Sequence, residues 1–173
     1  MNTLVIIPAY NERDNILNTI ADIEKNAPFA DYVVINDCST DDTKEFLKNA
    51  QANYIDLPIN LGIGGGVQTG YRYAMDNGYD IAIQFDGDGQ HEARYINDII
   101  APIARGQADI VIGSRFIEKE GFQSSALRRA GINFLSGLIK ALCGVKVHDV
   151  KSGMRAVNRK VIELFANNYA QDY

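Results

Sequence analysis

The 173-residue chain is 46% hydrophobic and 23% charged, which fits one globular domain over 1–173 with a sizeable core. The net charge is −5 and no nucleic-acid partner is expected; no apolar run approaches the ~18 residues that span a bilayer, and Met1-Asn2-Thr3 lacks the basic start of a signal peptide, so a cytoplasmic protein is expected. Cys38 and Cys143 are too few for a disulfide framework and too isolated for zinc, so they read as reduced thiols with no assigned chemistry.

Strand and helix signals then alternate along the chain. Leu4-Val5-Ile6-Ile7, closed by Pro8, is the first strand, and Ile16, Leu17, Ile20 and Ile23 follow at helical spacing. Tyr32 to Ile35 is the second strand. Ser39 stands three residues before Asp42, a capping-box arrangement expected to open the helix that carries Phe46 and Leu47, and Asn11 and Ser39 both suit an N-cap. Tyr54 to Leu57 is a third strand, Val67 to Met75 a third helix, Ile81 to Phe85 a fourth strand, Ile96 to Ile103 a fourth helix, and Asp109 to Ile112 a fifth strand. A last helix carries Val161, Ile162 and Phe165. Wholly apolar strands are buried on both faces, which predicts an α/β fold with a mostly parallel sheet flanked by helices on both faces.

In open sheets of this kind a ligand lies outside the carboxyl ends of the strands. The segments there are Pro8 to Glu12, Asn36-Asp37, Asn60 to Gly66, Asp86-Gly87-Asp88 and Gly113-Ser114-Arg115, a gathering of acids, amides and glycines that core packing does not require. Asp86-Gly87-Asp88-Gly89-Gln90-His91 is the most informative. Two carboxylates spaced D-x-D after an apolar strand, at a glycine-softened turn, can converge on one cation, and hard oxygen ligands suit Mg²⁺ or Mn²⁺. Asp-Gly pairs are also ordinary turn formers. An EF-hand is excluded, because its sixth position would be His91 and its twelfth Asn97.

Two nucleotide folds fail on their glycines. No glycine precedes Gly62, so the first strand and helix lack G-x-G-x-x-G; Gly62-x-Gly64-Gly65-Gly66 has the wrong spacing, and G-K-[ST] is absent. A nucleotide site built from carboxylates and a metal remains, in which acids accept hydrogen bonds from ribose or base.

Six segments in order, Pro8-Ala9-Tyr10-Asn11-Glu12, Asp37 to Thr43, Asn60-Leu61-Gly62-Ile63-Gly64, Asp86 to His91, Gly113-Ser114-Arg115 and Asp149 to Arg155, carry a resemblance to family 2 glycosyltransferases of the GT-A (Rossmann-like) fold. The likeness is greatest to the polyprenyl-phosphate sugar transferases, the group that includes dolichol-phosphate mannose synthase. It implies an inverting, metal-dependent transfer of a sugar from a UDP- or GDP-linked donor to a polyprenyl phosphate. The alternatives are a cell-wall or surface polysaccharide hydroxyl as acceptor, or a catalytically silent nucleotide-sugar-binding module.

By the same resemblance, Pro8, Tyr10, Glu12, Asp37 and Gly62 belong to the nucleotide-sugar pocket. Asp86 lies near ribose and metal, and Asp88 with Gln90 holds the metal on the diphosphate. Arg115, Arg128, Arg129 and Ser152 lie on the acceptor-phosphate side. Asp149 is the acidic candidate for a base if the acceptor is a hydroxyl. Asn36 stands where many members carry a second Asp, Asp42 where Gly is common, and Met154 where Phe is usual; none of these removes a needed carboxylate.

The charge distribution agrees with this division. Residues 1–114 carry a net −10 and residues 115–160 a net +7, so a nucleotide-sugar half (1–114) and an acceptor half (115–173) are expected, the latter cut short at its C-terminus. A basic stretch meets an anionic acceptor or lipid surface, and arginine's planar fork matches phosphate. Phe116 to Leu127 has no clear periodicity and is expected to be a loop ordered by substrate. The apolar helix expected over Ile132 to Cys143 could pack on the sheet, lie peripherally on the cytoplasmic face of a membrane, or join a homodimer.

Overall fold

The computed structural model describes residues 1–87, 92–113 and 154–169. Across these residues six strands, β1 (Thr3–Ala9), β2 (Asp31–Asn36), β3 (Tyr54–Asp56), β4 (Ile81–Gln84), β5 (Ile110–Ile112) and β6 (Arg155–Asn158), join in one sheet ordered β3-β2-β1-β4-β6-β5. The pairs β1–β2, β1–β4 and β2–β3 are parallel, with Leu4 opposite Asp31 and Ala82, whereas β6 runs antiparallel to both β4 and β5. The described helices are α1 (Ile16–Asn26), α2 (Thr43–Asn49), α3 (Gly62–Asp76), α4 (Ile96–Ala104) and α5 (Arg159–Asn167).

Side chains alternate across a strand, so β1 feeds two cores. Val5, Ile7 and Ala9 pack with Ile16, Ile20 and Ile23 of α1, Leu47 of α2 and Ile96, Ile99 and Ile103 of α4. Leu4 and Ile6 face the other way, against Val67, Tyr71 and Ala74 of α3 and Val161, Ile162 and Ala166 of α5. The expected α/β sheet with helices on both faces is therefore present, and among the described residues the expected strands and helices fall within a few residues of their positions.

Four expectations need correction. β6 has no strand signal in our sequence reading, because four residues flanked by polar groups show no usable alternation; yet it inserts between β4 and β5, so residues from both sides of position 114 build the one sheet. β5 is apolar but not buried on both faces: at the sheet edge, Ile110 and Ile112 are 44% and 46% exposed. α3 starts at Gly62, five residues before Val67, despite the poor helix propensity of Gly64-Gly65-Gly66. Gly66 faces the sheet, where a Cβ would make ordinary contact with Ile35 and Pro8 at 3.9 Å, so the helix there is held by packing of its neighbours Val67 and Tyr71 on the sheet and not by a need for glycine. The fourth correction is the capping box. α2 starts at Thr43 after Asp42, with no side-chain cap from Asp42, and the Ser39 hydroxyl donates to Asn36 Oδ1 at 2.5 Å instead.

Gly70 sets the closest approach of α3 to the sheet. A Cβ there would collide with Ile6 Cγ2 and stand 3.1 Å from Ile6 Cβ, an atom fixed to the central strand. Gly70→Ala should therefore cost about 1–3 kcal/mol in overpacking against about 1 kcal/mol gained in helix propensity. Thermal denaturation should show a net fall of a few degrees, roughly 2–4 °C per kcal/mol for a chain of this size. An unchanged or raised Tm would contradict that packing.

Candidate functional site

The strand order reverses between β1 and β4, and such a switch point opens a crevice at the carboxyl ends of the strands. β1 ends there in Pro8-Ala9-Tyr10, β2 in Asn36-Asp37 and β4 in Phe85-Asp86-Gly87. Gly87 is buried against the end of β1, where a Cβ would lie 3.2 Å from the Pro8 carbonyl oxygen and 3.4 Å from Ile7 Cγ2. Pro8 is thus flanked by the acidic turn on one side and by Gly66 of α3 on the other. Motifs that are far apart in sequence meet at this rim.

Asp37 is 4% exposed and firmly placed. Its N–H donates to the Ala9 carbonyl at 2.9 Å, its Oδ1 accepts from the Leu61 N–H at 2.7 Å, and its carbonyl accepts from Asn60 Nδ2 at 3.1 Å. This one residue therefore joins the end of β2 to β1 and to the loop before α3, where Gly62, at φ +73°, turns the chain into the helix. Tyr10 is 48% exposed beside it. The Glu12 carbonyl accepts from the Asn15 and Ile16 N–H groups and starts α1, while its Oε2 accepts from Asn15 Nδ2 at 3.2 Å. Asp86 is half-buried at the end of β4.

Asn11 does not cap α1, which begins at Ile16 after Asn15. With φ at +57°, a conformation Asn tolerates, it turns its side chain across to the next loop, and Oδ1 accepts from the Thr40 N–H at 2.8 Å and the Asp41 N–H at 3.3 Å. In return the Asn11 N–H donates to Ser39 Oγ at 3.0 Å. Arg13 completes the junction through its N–H to Asp41 and its guanidinium, 3.2 Å from Asp42 Oδ2. The first two rim loops are thereby braced as one unit, which local sequence does not reveal, since these partners lie 28 to 30 residues apart.

Asn36 is buried and serves the same frame. Its Nδ2 donates to Asp56 Oδ1 at 2.7 Å, and Lys44 Nζ sits 2.6 Å from Asp56 Oδ2. The Lys44 ammonium first, and then the Asn36 amide, hold the Asp56 carboxyl below the usual carboxylate range against the opposing effect of burial. A lowered folded-state pKa contributes stability above the unfolded value near 3.9, and that contribution is lost as the pH falls through the folded value. Asn36→Asp would set two carboxylates face to face. We expect a loss of about 1–3 kcal/mol at neutral pH that shrinks on acidification, as one of the pair takes up a proton. Urea titrations between pH 4 and 8 test this, and a pH-independent loss would refute it.

Among the described residues, no group of three or more His, Cys, Asp and Glu could hold a metal. Asp86 nevertheless fits the chemistry of a Mg²⁺ or Mn²⁺ site, which needs only one or two carboxylates when a diphosphate supplies other ligands. Asp88, Gln90, Arg115, Arg128, Arg129, Asp149 and Ser152 lie outside the described residues, as do the segments 116–127 and 132–143. Beside β5 and β6, the Gly113 N–H donates to the Met154 carbonyl at 2.9 Å, bringing two of the six motif segments together. Cavities of about 570 Å³ at the start of β2 and about 150 Å³ beside α3 are lined by other residues than Pro8, Asp37 and Asp86, so shape alone does not locate the rim.

Comparison with known proteins bears on the fold and the family. The sequence family described as glycosyl transferase family 2 matches residues 4–165. A UDP-N-acetylglucosamine–dolichyl-phosphate N-acetylglucosaminyltransferase of Methanococcus voltae is 31% identical over 94% of this chain and 71% of its own length. A polyprenol monophosphomannose synthase of Mycolicibacterium smegmatis is 27% identical over 93% of this chain and 63% of its own. Among solved structures, glucosyl-3-phosphoglycerate synthase from Mycobacterium tuberculosis, in complex with Mn²⁺ and UDP-glucose, superposes with a TM-score of 0.69 at 20% identity over 92% of this chain and 57% of that one. The fold is thus shared with a chain considerably longer than this one. The matched span of 4–165 takes in both the braced rim and the antiparallel β6, and the chain belongs to glycosyl transferase family 2.

Proposed function

We propose that the chain moves a sugar from a nucleoside-diphosphate sugar to a polyprenyl phosphate, with inversion at the anomeric carbon and with a divalent cation on the diphosphate. The observation that carries this is the meeting of Pro8, Asp37 and Asp86-Gly87 at the switch point, where acids and backbone groups converge at the carboxyl ends of the strands. The names of the two relatives support a polyprenyl-phosphate acceptor. Mn²⁺ and UDP-glucose in the complex of the solved neighbour support a metal-assisted, nucleotide-linked donor.

In this reading Pro8, Tyr10, Glu12, Asp37 and Gly62 line the nucleoside end, with the Asp37 carboxylate accepting N–H groups of the base or hydroxyls of the ribose. Asp86, with Asp88 and Gln90, would hold Mg²⁺ or Mn²⁺, which when bound would stabilise the charge growing on the departing diphosphate. Arg115, Arg128 and Arg129, with Ser152, would align the acceptor phosphate, which is already anionic at neutral pH and needs no general base. Asp149 would act as a base only for a hydroxyl acceptor. A polyprenyl phosphate places the reaction at a membrane surface, so peripheral contact with its cytoplasmic face is part of the proposal. No helix of the described residues is long and apolar enough to cross a membrane.

Radiolabelled UDP- and GDP-sugars incubated with polyprenyl phosphate, with a saccharide or with neither decide the acceptor. Label extracted into the lipid phase only in the first arm is the expected result. Label recovered only in saccharide would replace the acceptor, and donor binding without any transfer would favour a silent binding module.

A further inference from the structure

One face of α1 grips both described flanks of the acidic turn. Thr19 sits on the apolar stripe of α1 between Ile16, Ile20 and Ile23 and is 4% exposed, so its hydroxyl must find partners inside the fold. That hydroxyl lies 3.2 Å from the Asn15 carbonyl and 3.2 Å from the Gly87 carbonyl, 68 residues away. The first contact is the ordinary i−4 bond of a helical Thr; the second is not local and fixes the residue that directly follows Asp86. Three residues on, and so on the same face, Asp22 Oδ2 accepts from the Ala93 N–H at 2.7 Å. Asn26 Nδ2 donates to Asp22 Oδ1, also at 2.7 Å, and so orients that carboxylate. Ala93 is itself buried and opens the 3-10 turn Ala93–Tyr95 that leads into α4. Gly87 is wedged as well, since a Cβ there would meet the Pro8 carbonyl, Ile7 and, at 3.6 Å, Ile16 Cδ1 of the same helix.

We propose that Thr19 and Asp22 are positioning residues for the acidic turn. By tying Gly87 and Ala93 to a single helix, they set where the Asp86 carboxylate meets the cation and the diphosphate of the donor. The inference rests on the glycosyl-transfer reading for what the turn binds, but not for what holds the turn. Groups that orient a ligand of a metal without touching the metal commonly change its affinity by about 10–100-fold when removed.

The test compares wild type with Thr19→Val, which is isosteric but lacks the donor, Thr19→Ser, which restores it, Asp22→Ala, and Ile20→Val as a control on the same buried stripe. Amide exchange over residues 86–95 of the free protein should be about tenfold faster in Thr19→Val and Asp22→Ala, and near wild type in Thr19→Ser and Ile20→Val. With saturating UDP-glucose or GDP-mannose, the Mn²⁺ concentration for half-maximal donor binding should rise about tenfold in Thr19→Val and Asp22→Ala. It should stay unchanged in Ile20→Val even where Tm falls. The proposal is overturned if Thr19→Val exchanges like wild type over 86–95, or if Ile20→Val loosens the turn and weakens Mn²⁺ as much. Wild type that binds neither nucleotide sugar with Mn²⁺ would sink the glycosyl-transfer reading, and the exchange arm would still decide whether α1 holds the turn.

Discussion

Asp86→Asn is expected to lower kcat/KM for transfer to lipid phosphate by roughly a thousandfold or more, the equivalent of about 4 kcal/mol of transition-state stabilisation. The amide keeps the shape of the side chain at the end of β4, so the apo protein should melt close to wild type. The carboxylate that would share a cation with the departing diphosphate is gone, however, and that interaction strengthens as charge develops. Most of the loss should therefore fall on kcat, and raising Mn²⁺ should recover only part of it. Asp88→Ala should likewise abolish the Mn²⁺-dependent rise in Tm on adding donor, a rise expected because ligands that bind only the folded state stabilise it by mass action. Initial rates across a Mn²⁺ series, beside thermal shifts with UDP- and GDP-sugars, provide the measurement. Full activity in Asp86→Asn would remove this residue from the proposed chemistry.

The second large effect separates support from binding at Asp37. In Asp37→Asn the side-chain oxygen can still accept from the Leu61 N–H, so the loop before α3 should stay in place and Tm should change little. The charge offered to the donor is lost. A hydrogen bond to a charged group is worth about 1.5–3 kcal/mol, so the donor Kd should rise roughly 10–100-fold. Asp37→Ala removes the structural bond to the partly buried Leu61 N–H too, at a further cost of about 0.5–1.5 kcal/mol, and Tm should then drop by a few degrees. Calorimetric titration of both variants with nucleoside diphosphates distinguishes the two contributions. Equal donor affinity in wild type and Asp37→Asn would mean that the residue holds the loops and nothing more.

The braced loops explain why such a site can be rigid without being buried. Asn11, Ser39, Asn36 and Asp56 pass hydrogen bonds from the β1 loop through the β2 loop to the end of β3, so three strand ends are tied together. Asn36 matters particularly because an Asp in its place would face Asp56 with like charge, whereas the amide here donates to it.

The apolar runs Leu4–Ile7, Tyr32–Ile35 and Ile81–Phe85, the helical spacing of Ile16, Ile20 and Ile23, and the glycine and acid motifs at the strand ends were all decided by local sequence, because burial on both faces and helical period leave a direct mark on residue order. So was the family, since ordered motifs survive where overall identity is low. What could not be read locally arises from contacts across long separations. β6 becomes a strand because β4 and β5 offer it partners, α3 lies so close to β1 at Gly70 that a Cβ there would collide with Ile6, and Ser39 serves Asn36 rather than α2. Nothing in the sequence around Thr19 marks its long-range partner; only the folding of the sheet placed the Gly87 carbonyl against it, because hydrogen-bond partners for a buried hydroxyl are set by which elements pack together and not by its neighbours in the chain.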